Sequence, residues 1–457
     1  MSCNASNLAL CGVSNINAVT PPLPFATYLN QVSTGDMQTQ NNLGFCYALG
    51  IGTTVDLALA LKYFQLSAAQ GCPEAQNNLG YLYRFGYGVS KDGAQAINYL
   101  TLANNQGLAK AAYNLGRGYT MGNFGTADVH KGLSFLLTAS NKGLLSTFSS
   151  LGDYYSGELS SKVKKDAKQA IYYYEKGAEA GDLGSMQALA DMFLYKKSKK
   201  DQETGFRYQN LAASQGDSYG EFGVACCYQV GLGVERNLDK AFYFLQQAAS
   251  SPSATPFALS FFGLYHIYGI ATNKDESQGF DLCSKGAQKD PRLNGFLGWC
   301  YLNGIGCNKD LAKAIQCFEA GVSAGCGPSP YFLGLCYEKG IGVTQDTVNA
   351  NLFYQMASRV LPGDAVKLFF DMNLLGECYE FGRGFSKDLP KALELYKQAA
   401  GAGSLDAIKN LGRWHQNGIE VTQSSSEALM YYTIAANHGD VEAQTMLASL
   451  TQQQKAA

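Results

Sequence analysis

Leu43–Tyr47 reads LGFCY, Leu79–Tyr83 reads LGYLY and Leu115–Tyr119 reads LGRGY, so the same five-residue mark recurs every 36 residues. Its leading apolar residue can be followed along the chain at intervals of 35 to 42 residues. It falls at Leu43, Leu79, Leu115, Leu151, Leu189, Val224, Phe262, Leu297, Leu333, Leu375, Leu411 and Leu447. A fixed period between about 20 and 50 residues is the signature of a solenoid. The chain is therefore predicted to be one elongated array.

The segment 75–107 shows how one repeat folds. Apolar or small residues recur at helical spacing from Ala75 onward, and glycines at 86 and 88 break this first helix. Asp92 is a suitable N-cap for a second helix, because its carboxylate can accept hydrogen bonds from free backbone N–H groups. Gly107 is placed to end that helix in a left-handed conformation. Each repeat is thus predicted to be a helical hairpin with an A helix and a B helix.

The mark itself is predicted to lie in the core. A glycine within a helix costs about 1 kcal/mol relative to alanine, so the recurrence of residues such as Gly80 indicates that the B helix approaches closely there. The aromatic residue that ends the mark, as at Tyr83, would fill the space between the helices. Five of the thirteen cysteines share the position just before it: Cys46, Cys227, Cys300, Cys336 and Cys378. We interpret them as small buried hydrophobes and expect free thiols in a reducing compartment, with pairing among the cysteines of 300–336 left open.

The predicted boundaries follow from the register. Residues 1–22 are predicted to form a disordered tail, and 23–457 a single solenoid with a capping helix over 442–454. Phe25–Gly35 resembles the tail of a B helix and would cap the first repeat. The repeats are predicted to start near residues 39, 75, 111, 147, 185, 220, 258, 293, 329, 371 and 407.

These residues resemble the Sel-1-like repeat (SLR) family, a relative of the tetratricopeptide repeat. The shared pattern is A-x-x-L-G-x-x-Y-x-x-G-x-G-V followed by K-A-x-x-Y-x-x-A-A-x-x-G, and Ala75–Val89 and Asp388–Gly403 match it closely. The resemblance covers roughly residues 37–457. It implies an all-α, right-handed α/α superhelical solenoid of about eleven helix–turn–helix repeats with terminal capping helices, acting as a protein-binding scaffold without a cofactor. Relatives occur in bacterial signalling, in host-interaction proteins and in endoplasmic-reticulum quality control.

Composition argues against several classes of partner. The chain carries 35 basic and 37 acidic side chains, a balance that gives no electrostatic reason to expect nucleic-acid binding. No apolar run reaches the roughly 18 residues that a membrane-spanning helix needs. No signal peptide is evident, since the first basic residue is Lys62. We expect a cytoplasmic protein, or one delivered to a host cytosol without a classical signal peptide.

If the tetratricopeptide-like geometry holds, the A helices line a concave face, and the residues one before, two after and five after the leading residue of the mark point into it. These candidate partner-binding residues are Asn42, Asn78, Asn114 and Asn410; Tyr81, Arg117, Asp153, Trp299, Glu377 and Arg413; and Arg84, Glu338 and Glu380. Asparagine amides can hydrogen-bond an extended peptide, and Tyr, Trp and Arg are common hot-spot residues. Alternatively, the asparagines satisfy the scaffold. The face also changes from basic to acidic along the chain, a gradient that would orient a bound segment.

Two A–B loops are rich in lysine and lack the usual glycine pair. They carry Lys162, Lys164, Lys165 and Lys168 in one loop and Lys196, Lys197, Lys199 and Lys200 in the next. If neighbouring repeats stack in register, the eight lysines form one basic edge patch that could meet an acidic protein or anionic lipid heads. The alternative is a solvated, flexible edge.

Leu368–Phe370, in the longest interval, either pack in a lengthened helix or form an exposed anchor.

Histidine gives no metal site, because the four histidines show no metal-ligand spacing. His266 and His415 occupy the aromatic position of the mark and are interpreted as replacements for tyrosine.

Three functions compete. The leading prediction is a non-enzymatic scaffold or adaptor that binds a protein or peptide along the concave face. The second is a secreted bacterial effector or regulatory adaptor acting at host proteins or membrane surfaces. The third is a hydrolase of cell-wall-type ligands, for which the chain shows no nucleophile or acid–base arrangement.

Overall fold

The computed structural model describes residues 23–159, 163–360, 369–438 and 440–456. Every regular element in these ranges is helical, which confirms the all-α prediction. The expectations for residues 1–22, for Lys162 and for the side chains of Leu368–Phe370 concern parts of the chain outside this description.

Eleven helical hairpins follow one another along the chain, as predicted. The A helices span Met37–Leu49, Pro73–Phe85, Ala109–Thr120, Ser146–Ser156, Leu183–Leu194, Ser218–Val230, Pro256–Tyr268, Asn294–Asn303, Pro328–Lys339, Phe369–Phe381 and Leu405–Asn417. The B helices span Leu57–Ala69, Gly93–Asn105, Val129–Asn141, Ala167–Glu179, Lys199–Ala213, Leu238–Ser250, Glu276–Lys289, Leu311–Ala324, Thr347–Val360, Leu389–Gly401 and Ser425–Asn437. Each A helix begins within two residues of its predicted start. We number the hairpins as repeats 1 to 11.

A short helix precedes the repeats and a longer one follows them. Phe25–Gln31 packs on repeat 1, where Phe25 meets Tyr47 edge-on at a ring-centroid distance of 5.4 Å. Val441–Ala456 packs on repeat 11, with Leu450 buried against Tyr432. Both helices therefore cover the apolar surface of a terminal repeat.

The local signals act as the sequence predicts. Gly86 ends the A helix of repeat 2 with φ of 76°, a left-handed conformation that is cheap for glycine. The Asp92 carboxylate then caps the B helix by accepting a hydrogen bond from the backbone N–H of Gln95 at 3.0 Å. An added Cβ on Gly80 would lie 2.5 Å from Leu100 Cγ, so this glycine is needed for the close approach of the two helices.

Aromatic pairs join the two helices of a repeat. Tyr83 and Tyr99 stack with ring centroids 5.7 Å apart and planes 10° from parallel. Stacked pairs at the same two positions recur as Tyr47–Tyr63, Tyr119–Phe135, Tyr155–Tyr173, Tyr228–Phe244 and Tyr337–Phe353. The five cysteines that precede the A-helix aromatic are buried, as predicted, and they form no disulfide in the described ranges.

The helices form two compact units, 1–189 and 190–457. The first holds repeats 1 to 4 and the start of repeat 5, and the second holds the remaining repeats and the final helix. A single solenoid over 23–457 stays a prediction. In the part of the chain that the structure describes, no helix is both long and apolar enough to cross a bilayer.

Candidate functional site

The candidate site is the surface that the A helices form on the side away from the B helices, here called the A face. The asparagines predicted to line it are largely internal. Asn114 is 1% exposed, and its amide donates a hydrogen bond to Asn77 Oδ1 at 2.8 Å. Asn78 is fully buried and donates to Asn41 Oδ1 at 3.2 Å. Asn114 and Asn78 therefore tie neighbouring repeats together, which corrects the prediction that they contact a partner.

Asn42 and Asn410 keep part of their surface exposed. Asn410 donates to Asn373 Oδ1 at 3.1 Å, and so it continues the same inter-repeat pattern in the second unit. Gln38 donates to Asn42 Oδ1 at 3.4 Å. The sequence alone could not show which of the predicted asparagines are buried. Their hydrogen-bond acceptors, such as Asn41 and Asn77, lie on the preceding A helix, one position before the residues that were predicted to face a partner.

Arg84 lies beneath the A face of the first unit. Its side chain is 4% exposed and is held by Asn123 Oδ1 at 3.2 Å and by the backbone carbonyl of Asn114 at 3.3 Å. The guanidinium also packs 4.7 Å from the ring centroid of Phe85. Burial, together with the charge of Arg117, lowers the pKa of Arg84 to about 10. The prediction that Arg84 reaches out to a partner is therefore wrong: its role is to join repeats 2 and 3.

Arg117 is the accessible member of this basic pair. It is half-buried, and its guanidinium lies 3.3 Å from Ser150 Oγ and 3.5 Å from the Tyr113 hydroxyl. Lys110, near the start of the same A helix, places its ammonium 5.8 Å from the ring centroid of Tyr113. Burial lowers the pKa of Lys110. Arg117 and Lys110 thus both lie beside Tyr113 in repeat 3.

No carboxylate lies within 4 Å of the Arg84 or Arg117 guanidinium in the described residues. Asp153, the acidic candidate on the next A helix, accepts a hydrogen bond from the Tyr174 hydroxyl at 2.8 Å and interacts with the charge of Arg117 only at longer range. Burial raises the pKa of Asp153, although the hydrogen bond from Tyr174 opposes the shift. Tyr81 is 2% exposed and packs against Phe85, so it supports this surface from within. The prediction that Tyr81 contacts a partner is therefore wrong.

In the second unit the acidic candidates are neutralised by the chain itself. Glu380 is 5% exposed and accepts hydrogen bonds from Arg413 at 2.7 Å, from the Tyr396 hydroxyl at 2.7 Å and from the Trp414 indole at 3.2 Å. This buried carboxylate therefore links repeats 10 and 11. Its prediction as a partner contact is wrong, because its hydrogen bonds all run to the fold.

A second network joins repeats 9 and 10. Arg383 donates to Glu338 Oε2 at 2.9 Å and to the Tyr331 hydroxyl at 3.2 Å. The hydroxyl of Tyr331 in turn donates to Glu377. Burial raises the pKa of Glu377, with the hydrogen bond from Tyr331 opposing the shift. Because arginines pair with Glu338 and Glu380, the later A face does not present the simple excess of acid that the predicted gradient requires.

Trp299 lies at a separate cleft of the second unit. Its ring stacks on Tyr268 with centroids 5.7 Å apart, and the cleft has a volume of about 320 Å³. Lys409 stands in it, within 3.2 Å of Asp406, 3.1 Å of Asp440 and 2.8 Å of Glu442. The sequence placed Trp299 on the A face but gave no sign that repeat 11 stands opposite.

The lysines of the predicted edge patch are exposed wherever the structure describes them. Lys164, Lys165 and Lys168 belong to the first unit, and the other four, at 196, 197, 199 and 200, belong to the second. Among these seven, only Lys196 forms an ion pair in the described ranges, with Asp201 at 3.8 Å. One continuous patch stays a prediction. The described ranges also hold no group of three or more His, Cys, Asp or Glu side chains suited to a metal ion.

Sequence reasoning missed Tyr113, Lys110 and Arg383. Tyr113 and Lys110 stand two and five residues before Leu115, so a helical-wheel projection of the A helix places them beside Arg117. Arg383 follows the A helix, between two turn glycines, and nothing in the repeat period indicates that its side chain returns to Glu338.

Comparison with known proteins gives the family. The Sel1 repeat model matches residues 38–72, 73–108, 109–144, 150–182, 185–217, 218–253, 256–291, 296–326, 331–359, 371–404 and 405–440. Repeats of this type generally mediate protein–protein interaction and are typically non-enzymatic scaffolds.

Two curated relatives match over a short stretch. The chain is 35% identical over 94 residues to mouse DAP3-binding cell death enhancer 1, and this alignment covers 21% of this chain and 18% of the mouse protein. The rat protein of the same name is 34% identical over 85 residues, covering 19% of this chain and 16% of that protein. The match thus spans less than a fifth of the length of these relatives.

Solved structures match over more of the chain. A protective antigen of uropathogenic Escherichia coli with an SLR fold has a TM-score of 0.48 and 24% identity, covering 94% of this chain and 91% of that chain. A Sel1 repeat protein from Oxalobacter formigenes has a TM-score of 0.48 and 25% identity, covering 67% and 88%. Because the repeat model matches well over half of the residues, the chain belongs to the Sel1 repeat family.

Proposed function

We propose that this protein is a non-enzymatic scaffold that binds a segment of a partner protein on the A face, and that the first unit binds an acidic segment at Arg117. One observation carries the proposal. Arg84 and Arg117 have no carboxylate within 4 Å in the described residues, whereas Arg383 and Arg413 of the second unit are each paired with a glutamate.

The electrostatics of the pair favour an anionic ligand. Arg117 contributes to the lowered pKa of Arg84, so the two guanidinium groups repel each other. An incoming carboxylate would relieve that repulsion, and an arginine can bind it through two parallel hydrogen bonds. Lys110 adds a third cation beside Tyr113, whose ring lies 5.9 Å from the Arg117 guanidinium. The partly exposed cations Arg117 and Lys110 thus lie together on the A face, beside the buried ring of Tyr113.

Short fluorescent peptides of matched length test the proposal. Acidic, neutral and basic versions are titrated into the full chain, at low and at high salt, and followed by fluorescence polarisation. We expect the acidic peptide to bind tightest, with an affinity that falls as salt rises. Arg117→Gln should weaken its binding by about tenfold, equivalent to about 1.4 kcal/mol.

The matched control is Arg207→Gln, which removes an exposed arginine from the B helix of repeat 5. It lowers the net charge by the same amount and should leave binding unchanged. Equal binding of the three peptides, or an equal effect of Arg117→Gln and Arg207→Gln, would show that the Arg117 surface does not recognise acidic segments.

A second candidate function is contact of an adaptor with an anionic membrane surface. The supporting observation is that the seven described lysines of the two A–B loops are exposed and that only Lys196 is ion-paired among them. Several exposed lysines attract anionic lipids by about 1 kcal/mol each. Co-sedimentation with phosphatidylserine-containing liposomes should fall when the lysines of both loops are changed to glutamine. Equal sedimentation of the two proteins would remove this candidate.

A further inference from the structure

The A helices of repeats 2 and 3 end in exposed apolar side chains. Phe85 is 37% exposed and Met121 is 46% exposed, and each stands six residues after the leading residue of its mark. A single exposed apolar residue is ordinary on a protein surface, but these two occupy equivalent positions in neighbouring repeats. Arg84 connects the two helix ends, because its guanidinium packs 4.7 Å from the Phe85 ring centroid and donates to Asn123, two residues after Met121.

Arg117 brings positive charge to this apolar surface. It stands one helical turn before Met121, whose sulfur lies 3.6 Å from the guanidinium, and the ring centroid of Tyr113 lies 5.9 Å away. The guanidinium is thus bordered by a thioether and a ring. No carboxylate of the described residues lies within 4 Å of it, and Asp153 interacts with its charge from beyond that distance. A carboxylate added here would be attracted more strongly than in open water, because apolar neighbours lower the local dielectric constant.

The second unit contains an arginine whose surroundings are complete. Phe381 ends the A helix of repeat 10 at the position equivalent to Met121 and is 53% exposed. Beside it, the Arg383 guanidinium lies 4.8 Å from the ring centroid of Phe381 and 5.4 Å from that of Tyr354. The same guanidinium pairs with Glu338 Oε2 at 2.9 Å. One arginine at the end of an A helix therefore holds a carboxylate and aromatic rings at the same time.

Comparison of the two arginines indicates which groups a ligand would add at Arg117. Arg383 has a close carboxylate and more than one ring, whereas Arg117 has one ring and the exposed thioether of Met121. A glutamate or aspartate of the ligand can supply the carboxylate through two parallel hydrogen bonds. A neighbouring aromatic side chain can supply the ring, because a methionine sulfur makes favourable contacts with aromatic rings. The ring would also exclude water from the new ion pair.

We propose that the acidic segment bound at Arg117 carries an aromatic residue next to its carboxylate, and that this ring packs on Met121 beside Phe85. The inference rests on the proposed function, since it assumes that an acidic residue of the partner pairs with Arg117. It adds the feature that distinguishes one acidic segment from another, because charge alone attracts all of them equally.

Two fluorescent peptides of equal charge, Glu-Glu-Phe-Glu-Glu and Glu-Glu-Ser-Glu-Glu, test the aromatic contact. Each is titrated into the full chain and followed by fluorescence polarisation. We expect the phenylalanine peptide to bind about tenfold more tightly, because it buries apolar surface that serine lacks. Met121→Gln should reduce this preference to about threefold or less and leave the affinity for the serine peptide unchanged, since it removes apolar surface without changing charge. The matched control is Met430→Gln, which changes a methionine that is 45% exposed on the B helix of repeat 11 and should keep the full preference.

NMR of the full chain labelled with methyl-¹³C methionine locates the ring. The signals of Met121 and Met430 are those absent from the spectra of the two glutamine variants. The phenylalanine peptide should shift the Met121 methyl signal through the ring current of its side chain, and the serine peptide should move it much less. The Met430 signal should not move with either peptide.

The two measurements distinguish failure of the aromatic contact from failure of the proposed function. If Arg117→Gln weakens both peptides but their affinities for the parent are equal, or if both move the Met121 signal alike, the aromatic contact is overturned and the acidic contact stands. If Arg117→Gln changes the affinity for neither peptide, the proposed function is overturned and this inference with it.

Discussion

The hydroxyl of Tyr268 donates a hydrogen bond to Asp406 Oδ2 at 3.0 Å, joining repeats 7 and 11 across 138 residues of sequence. A second contact supports it, because the Gln229 amide donates to the backbone carbonyl of Ala402 at 3.3 Å. The apolar core follows the same route, since Ile270 and Leu405 belong to one buried cluster. In a simple repeat array each repeat contacts only its neighbours. The second unit departs from that rule by closing on itself.

The Tyr268–Asp406 bond should contribute measurably to the stability of the second unit. Tyr268→Phe removes a hydrogen bond to a carboxylate, an interaction worth about 1.5–3 kcal/mol. We expect that loss in chemical denaturation. A double-mutant cycle with Asp406→Asn should give a coupling energy between about 0.5 and 3 kcal/mol.

The control for this cycle is Tyr432→Phe, because the Tyr432 hydroxyl donates to Gln416 at 2.9 Å within a single repeat. Its loss should be local and should show no coupling with Asp406→Asn. Additive effects of Tyr268→Phe and Asp406→Asn would mean that the long-range contact does not stabilise the fold.

The asparagines between repeats should act on stability and not on binding. Asn114→Ala removes a buried amide that bonds Asn77, and it should lower the free energy of unfolding by about 1–3 kcal/mol. Asn42→Ala changes the same position in repeat 1, where the side chain is half-buried, and should cost much less. Thermal melting of the two variants makes the comparison. Equal melting temperatures would contradict the structural role assigned to Asn114.

The repeat period predicts the hairpins because each of its marks has a local physical cause. Gly86 ends a helix, Asp92 begins the next, and Gly80 admits Leu100. These effects involve residues close in sequence, so they can be read from one repeat and transferred to the others. The period therefore predicts each A-helix start in the described ranges to within two residues.

The same period predicts the candidate site less well, because exposure depends on contacts between repeats. Asn78 and Asn114 stand at positions that a helical wheel places on the surface, yet the adjoining A helix buries both. Glu380 looks like a free acid in the sequence, but Arg413 comes from the next repeat to neutralise it. The Tyr268–Asp406 contact could not be predicted from the repeat period at all, because the period gives the packing of neighbouring repeats and carries no information on contacts between repeats four apart.

Substitution of Arg84 should destabilise the fold, whereas substitution of Arg117 should have little effect on stability. Arg84→Gln loses hydrogen bonds to Asn123 and to the backbone of repeat 3, and breaks a packed contact with Phe85. We expect a loss of about 2–3 kcal/mol in the free energy of unfolding, since several buried partners are left unsatisfied. Arg117→Gln, at a half-buried position, should cost less than about 1 kcal/mol. Urea denaturation of both variants gives the measurement, and a larger loss for Arg117→Gln would reverse the assignment.

His266 should make the stability of the second unit depend on pH. The side chain is 7% exposed between Phe242 and Phe262, and neither ring nitrogen has a hydrogen-bond partner among the described residues. Burial lowers the pKa of His266 below its ordinary value of 6.5, although Asp275 opposes the shift. The unfolded chain therefore binds the proton more readily, and stability should fall as the pH drops below about 6.5.

His266→Phe should remove this contribution, because phenylalanine fills the same aromatic position and does not titrate. We expect the variant to be more stable than the parent by about 1 kcal/mol or more at mildly acidic pH, with a smaller gain near neutrality where only the unsatisfied nitrogens are relieved. Urea denaturation between mildly acidic and neutral pH measures both, and His438→Gln, which changes an exposed histidine, serves as the control. If the stability profiles of His266→Phe and the parent run parallel across that range, His266 is not the group that couples folding to pH.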